Sequence, residues 1–108
     1  MKEIRAFIQP HRLSHVTMAL LEIPGFPGMT IIDCDGFGRE RTQHTQDYKP
    51  FLHKKRLEIF APESLVEIIF ETIMKAAYSG QHGDGKVYII DTIEGGRIST
   101  GERDPDLR

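Results

Sequence analysis

Ile4, Ala6 and Ile8 repeat at every second position near the start of the chain, with Arg5 and Phe7 between them. A period of two predicts a half-buried strand over Met1 to Gln9. Pro10 stops it, because proline has no N–H to give a ladder. From Leu13 to Ile23 the period changes. Leu13, Val16, Leu20 and Ile23 recur every three or four residues, which predicts a helix with Ser14 as a candidate N-cap. The run Pro24-Gly25-Phe26-Pro27-Gly28 then breaks it. Met29 to Asp35 predicts a second strand and Arg56 to Phe60 a third. Pro62-Glu63-Ser64 opens a second helix, since proline and an acid are both favoured in a first turn. Its apolar face is Leu65, Ile69, Ile73 and Ala76 or Ala77, and Gly80 is its expected terminator. Val87 to Thr92 predicts a fourth strand. The tail over 95–108 is polar and glycine-rich and reads as mostly irregular.

This order, β-α-β-β-α-β, predicts an α+β ferredoxin-like fold: a four-stranded antiparallel sheet with two helices on one face. At 108 residues the chain is one domain, 1–108. The strands carry apolar residues on both alternations (Ile31 beside Ile32, Ile89 beside Ile90), so the face without helices also needs cover. That predicts a homo-oligomer packed through its sheets.

Two segments interrupt the pattern. The stretch 36–55 has no clean period and almost no aliphatic residue before Leu52, and it predicts a long exposed loop whose stem continues the flanking strands. The segment 79–86, Ser-Gly-Gln-His-Gly-Asp-Gly-Lys, holds three glycines that free the backbone for positive φ and close approach to a ligand. Successive N–H groups there can cradle an anion, with Lys86 as a point charge beside them. The spacing from Gly80 to Lys86 matches the first seven positions of a Walker A loop. The eighth is Val87 instead of Ser or Thr, and a strand follows where a P-loop needs a helix. The segment reads as a phosphate cradle outside the P-loop NTPases.

Composition narrows the chemistry. A net charge of −2 and a pI near 6.2 give no global reason to bind nucleic acid or an anionic membrane. Cys34 is the only cysteine, so an intrachain disulfide and a cysteine-based zinc site are excluded. With no apolar run of signal-peptide or membrane-spanning length, a cytoplasmic protein without membrane insertion is expected. His11, His15, His44, His53 and His82 match no metal-ligand pattern and read as solvated; no metal residues are assigned. Asp33 and Asp35 read as solvated turn residues before Gly36, and no catalytic set emerges.

Several blocks together are more specific: Met1-Lys2-Glu3-Ile4 with Gln9-Pro10, Gly28-Met29-Thr30, Gly36-Phe37-Gly38-Arg39, Phe51-Leu52-x-Lys54, Leu57-Glu58-Ile59, Gly80-x-x-Gly83-Asp84-Gly85-Lys86 and Arg97-Ile98-x-Thr100-Gly101-Glu102. Through them the chain resembles, nearly end to end, the P-II family of nitrogen regulatory proteins, trimeric signal transducers with this strand and helix order. The resemblance implies a non-enzymatic regulator that binds adenine nucleotide (ATP, ADP or AMP) between neighbouring subunits. It implies that Gly83, Asp84, Gly85 and Lys86 hold the phosphates and that Gly36, Phe37, Gly38 and Arg39 close the site. Thr30, Glu58 and Phe60 would lie near ribose and adenine, and Arg97 would reach the phosphates from the adjacent subunit. The segment 36–55 would be the T-loop, 79–86 the phosphate loop and 95–108 a C-terminal loop and tail. Arg41, Tyr48 and Phe51 would belong to the surface that docks on a target protein, with a membrane transporter among the classes of target.

The chain also departs from the family. Ser99 stands where a second C-terminal arginine is usual, which implies that ADP or AMP binds at least as well as ATP. Glu40 replaces the glutamine that follows Gly-Phe-Gly-Arg, so 2-oxoglutarate is not expected as a ligand and Mg²⁺ is left open. The T-loop is shorter than usual and lacks the modified-tyrosine motif, which makes the chain an atypical member. The alternative is a metal-binding trimer resembling the copper-tolerance CutA family, which shares the fold. The histidines favour that reading, while the Gly-Asp-Gly-Lys and Arg-Ile-x-Thr-Gly-Glu blocks favour P-II. Slow ATP hydrolysis has only Glu40 to support it.

Overall fold

The computed structural model describes residues 1–37 and 51–107. Strand β1 (Lys2–Ile8) leads through a 3₁₀ turn (Pro10–Arg12) into helix α1 (Leu13–Leu21), followed by β2 (Thr30–Gly36). Beyond the long connection come β3 (Leu52–Ala61), α2 (Glu63–Ala76), β4 (Gly85–Asp91) and a small hairpin of β5 (Gly95–Arg97) with β6 (Glu102–Asp104). The main sheet has the order β2-β3-β1-β4 with every pair antiparallel. The expected ferredoxin-like β-α-β-β-α-β arrangement is therefore observed.

The central strands carry the core because their inward positions are apolar and in register. Ile4 lies between Ile59 and Ile89, and Ala6 between Leu57 and Val87. Ile4, Ala6, Leu57 and Ile59 are fully buried under Val16 and Leu20 of α1 and Val66, Ile69 and Ile73 of α2. Each large aliphatic side chain withdrawn from water contributes about 1.5–3 kcal/mol, so this layer dominates the stability of the fold.

The opposite face is a lattice of charge and aromatic rings. Glu3, Arg5 and Phe7 of β1 pair with Phe60, Glu58 and Arg56 of β3 and with Ile90, Tyr88 and Lys86 of β4. Arg5 donates twice to the buried Glu3 carboxylate, at 2.8 and 2.9 Å, and Arg56 pairs with Glu58. Phe60 and Tyr88 remain about half exposed on this face, as the double alternation predicts.

Local boundaries differ from expectation in four places. Ser14 does not cap α1: Arg12 occupies the N-cap position, since the 3₁₀ turn runs straight into the helix. Arg12 instead reaches across to the Ala76 carbonyl, donating at 2.7 and 3.1 Å, and satisfies an orphan acceptor at the end of α2. Gly80 does not terminate α2, because the helix closes at Ala77, whose N–H bonds to the Ile73 carbonyl. Strand β3 starts at Leu52, ahead of Arg56, so the loop stem continues the flanking strands as expected, and it pairs Asp33 with Lys55, Cys34 with Lys54 and Asp35 with His53 where turn residues were expected. Asp33 and Asp35 are thus strand residues. The tail is not irregular over 95–104. It folds as a hairpin closed by Gly101, whose φ of +74° admits the turn and whose N–H bonds to the Arg97 carbonyl at 2.8 Å. Among the described residues no helix is long and apolar enough to cross a membrane.

Candidate functional site

The glycine loop between α2 and β4 is built by its own residues. Gly80, Gly83 and Gly85 all take positive φ, at +82°, +85° and +110°. At Gly85 the requirement is absolute, since a Cβ there would stand 1.8 Å from the Phe7 carbonyl oxygen. Asp84 turns its carboxylate back into the loop. It accepts from the Ser79 hydroxyl, from the Ser79 N–H at 2.8 Å and the Gly80 N–H at 3.1 Å, and from the Gln81 N–H. These bonds, the Ser79 hydroxyl first, hold its carboxyl below the usual carboxylate range. Asp84 therefore orders the loop from inside, leaving the glycine backbone and the exposed Lys86 as the outward-facing groups.

Two further residues secure the loop to the sheet. The Gly83 carbonyl accepts from Gln9 Nε2 at 2.7 Å and from the Lys54 ammonium. Partial burial pushes the Lys54 ammonium down from its ordinary pKa, opposed by the charge of Asp84. Neither residue stands out as a site residue in the sequence. Gln9 ends a strand, and Lys54 is one of several basic residues beside the long loop. Their only signal is membership of the Gln9-Pro10 and Phe51-x-x-Lys54 blocks.

Lys54 also lies in the stem of the long loop, two pairs from the Gly36–Leu52 end of the β2–β3 ladder. Just beyond, the Phe37 and Phe51 rings meet with centroids 6.2 Å apart and planes tilted by 52°. Phe51, expected on a docking surface, is largely exposed beside Phe37 at the mouth of the stem. Gly36, Phe37, Phe51, Lys54, Gly83, Asp84, Gly85 and Lys86 thus gather at one end of the sheet. Gly38, Arg39, Arg41 and Tyr48 lie outside the described residues, as does Glu40.

The remaining candidates lie elsewhere. Thr30 pairs with Glu58 at the start of β2, and Phe60 pairs with Glu3 beyond it. At about 3.3 Å per residue, Thr30 is roughly 20 Å along β2 from Gly36. Arg97 belongs to the hairpin that follows the same far end of β4, and its Nε meets Glu102 Oε1 at 3.2 Å. The chain therefore carries two groups of candidate residues at opposite ends of one sheet, and they do not meet within it. A cavity of about 170 Å³ behind the glycine loop, lined by Ile73, Met74, Tyr78, Lys86 and Val87, is smaller than the ~300–1,000 Å³ of typical ligand sites. Among the described residues no three His, Cys, Asp or Glu side chains are grouped to hold a metal ion.

Comparison with known proteins places the chain in a family. The family model for nitrogen regulatory protein P-II matches residues 1–102. The chain is 40% identical to nitrogen regulatory protein P-II 1 of Escherichia coli strain K12, with 96% of each chain covered. It is 40% identical to nitrogen regulatory protein P-II of Azospirillum brasilense over 98% of each, and 39% identical to that of Klebsiella oxytoca over 96% of each. With a family match across nearly its whole length and a glycine loop folded as described, the chain belongs to the P-II family of nitrogen regulatory proteins.

Proposed function

We propose that this P-II family member is a homotrimeric signal transducer that binds adenine nucleotide between neighbouring subunits and reports the bound state to a target protein. The observation that carries this reading is the separation of the two candidate groups to opposite ends of one chain's sheet. A second copy supplies the missing half of each site, and the charged, aromatic sheet face without helices supplies a surface for assembly.

In this reading the backbone of Gly83 and Gly85 and the Lys86 ammonium hold the phosphates, with Gly36 and Phe37 closing the same end. Gly38 and Arg39 belong to that end by sequence. Thr30, Glu58 and Phe60 of the neighbouring subunit receive ribose and adenine, and its Arg97 reaches the phosphates. The glycine loop fits a phosphate ligand in that the Asp84 oxygens are already occupied by the Ser79 and Gly80 N–H groups, while Lys86 offsets the charge of the carboxylate and of the ligand. Ser99 removes one cation, so ADP or AMP binds at least as well as ATP; Glu40 disfavours 2-oxoglutarate, and a role for Mg²⁺ stays open. The output surface lies on the long loop, with Arg41, Tyr48 and Phe51, and a membrane transporter is one class of target. The protein works in the cytoplasm as a regulator, not a catalyst.

Titration calorimetry of the trimer with ATP, ADP and AMP tests this. A charge-assisted phosphate contact is worth about 1.5–3 kcal/mol, so Lys86→Ala should weaken nucleotide binding about tenfold or more. Unchanged affinity in that variant would remove the cradle.

A further inference from the structure

Strand β1 ends at Ile8, which pairs with Gly85 of β4, so one more ladder step would set Gln9 opposite Asp84. That step is not taken. The Gln9 carbonyl accepts instead from the Arg12 N–H at 3.0 Å, the bond that closes the 3₁₀ turn. The Gln9 side chain crosses to the glycine loop, where Nε2 donates to the Gly83 carbonyl at 2.7 Å beside the Lys54 ammonium. Two donors fill the two lone pairs of that oxygen. A Cβ on residue 83 would stand 3.4 Å from Gln9 Nε2, so glycine there also lets the amide come close.

A trans peptide is planar, and its C=O and N–H point in opposite directions. The Gly83–Asp84 peptide is trans, so drawing the Gly83 carbonyl toward the sheet turns the Asp84 N–H away from it. Among the described residues that N–H meets no acceptor, since the Gln9 carbonyl that would be its ladder partner is already engaged. We propose that Gln9 is a positioning residue for the anion site, locking the Gly83–Asp84 peptide so that the Asp84 N–H stands ready to donate to a phosphate. This rests on reading the glycine loop as a phosphate cradle. The lock matters because glycine at 83, with a φ of +85°, leaves the plane free to turn over. A turned plane would present a carbonyl oxygen to the ligand in place of a donor.

The two donors on the Gly83 carbonyl differ in kind. Lys54 carries a charge and stands in the stem of the long loop, so an incoming anion competes with the carbonyl for its ammonium. Gln9 is neutral, and its backbone is held extended between β1 and Pro10, at φ −64° and ψ 136°. Gln9 is therefore the donor that keeps the plane in place when ligand charge arrives.

The test reads the Asp84 amide by NMR of the full-length protein, with ADP as the probe and calorimetry alongside. In the free protein this amide should exchange without protection, and ADP should shift it and slow its exchange. Gln9→Leu, similar in size but without a donor, should weaken ADP about tenfold, the worth of one charge-assisted hydrogen bond, and abolish that shift. Gln9→Lys, which restores a donor, should recover both. Lys86→Ala separates this inference from the cradle itself: it should weaken ADP yet leave the Asp84 shift intact at saturation. If Lys86→Ala and Gln9→Leu both bind ADP as the wild type does, the cradle fails and the role of Gln9 falls with it. If Lys86→Ala alone loses affinity, the cradle stands and the role of Gln9 is overturned. An Asp84 amide that is protected before ligand is added overturns it as well, whatever the variants do.

Discussion

The glycine loop at 79–86 and the hairpin at 95–104 are both short, polar and glycine-containing, yet they are organised in opposite ways. The loop is complete within the chain: the Asp84 carboxylate gathers N–H groups from Ser79 to Gln81, and Gln9 and Lys54 fix Gly83 to the sheet. The hairpin follows β4, with Leu107 beside Gly95, Arg103 paired with Glu94 and the N-terminal ammonium on Asp106 at 2.9 Å. Ile93 and Ile98 on either side of Arg97 are almost fully exposed. One half of the candidate site is thus preorganised by its own fold, and the other presents apolar and charged groups that suit a neighbouring subunit. Preorganisation places the cost of ordering in folding, whereas in the proposed trimer the exposed half would meet it on assembly.

The sharpest way to break this contrast is Gly85→Ala. The new Cβ meets the Phe7 carbonyl at a backbone φ that L-residues avoid, so the variant should lose about 3 kcal/mol of stability in urea unfolding. A stable Gly85→Ala protein would mean that the loop is not locked to β1. Arg97→Ala should do the reverse. Its exposed pair with Glu102 leaves unfolding within about 0.5 kcal/mol of wild type, while nucleotide affinity falls about tenfold. Unchanged nucleotide affinity in the folded variant would move the hairpin out of the site.

Ser99→Arg sharpens the comparison from the hairpin side by restoring a cation. ATP affinity should rise by up to about tenfold, ADP less and AMP least, because the gain follows ligand charge. An equal gain for all three in calorimetry sinks the charge argument. The smallest effect is expected from acid. Asp84 has a depressed pKa in the folded chain, so its contribution is full above the ordinary carboxylate value near 3.9 and is lost as pH falls through its own lower value. Amide shifts of Ser79, Gly80 and Gln81 should therefore report loosening only below about pH 4, with no such step in Asp84→Asn. A transition nearer neutrality would assign the loop's order to another group.

Much of the candidate site was legible because glycine, lysine and arginine at fixed spacing are the residue types that anion chemistry uses. Lys86, Gly83, Gly85 and Arg97 are visible in this way. Asp84 was legible as a candidate but its contacts were not: only the folded loop shows its carboxylate accepting from the N–H groups of Ser79 and Gly80. Gln9 and Lys54 were hidden for a different reason. Gln9 and its partner Gly83 are 74 positions apart, and nothing local to either marks the pairing. The hairpin escaped because its pairing rests on Gly101 and on Arg97–Glu102 and Arg103–Glu94 contacts, which carry no apolar period.

The sequence by itself determined the order of strands and helices and the face each turns to the core, since Ile4, Ala6, Ile8, Ile69 and Ile73 repeat at periods that only one element type can bury. It also determined the glycine positions where positive φ is needed. Tertiary structure alone decided which residues share an end of the sheet. Antiparallel register brought Gly36, Lys54, Gln9 and Gly83 together and sent Thr30, Phe60 and Arg97 to the far side. It also set His53 between Asp33 and Asp35. Periodicity is a property of neighbours along the chain, whereas register depends on how long-range pairing closes the sheet, and that closure is a cooperative outcome of the whole core.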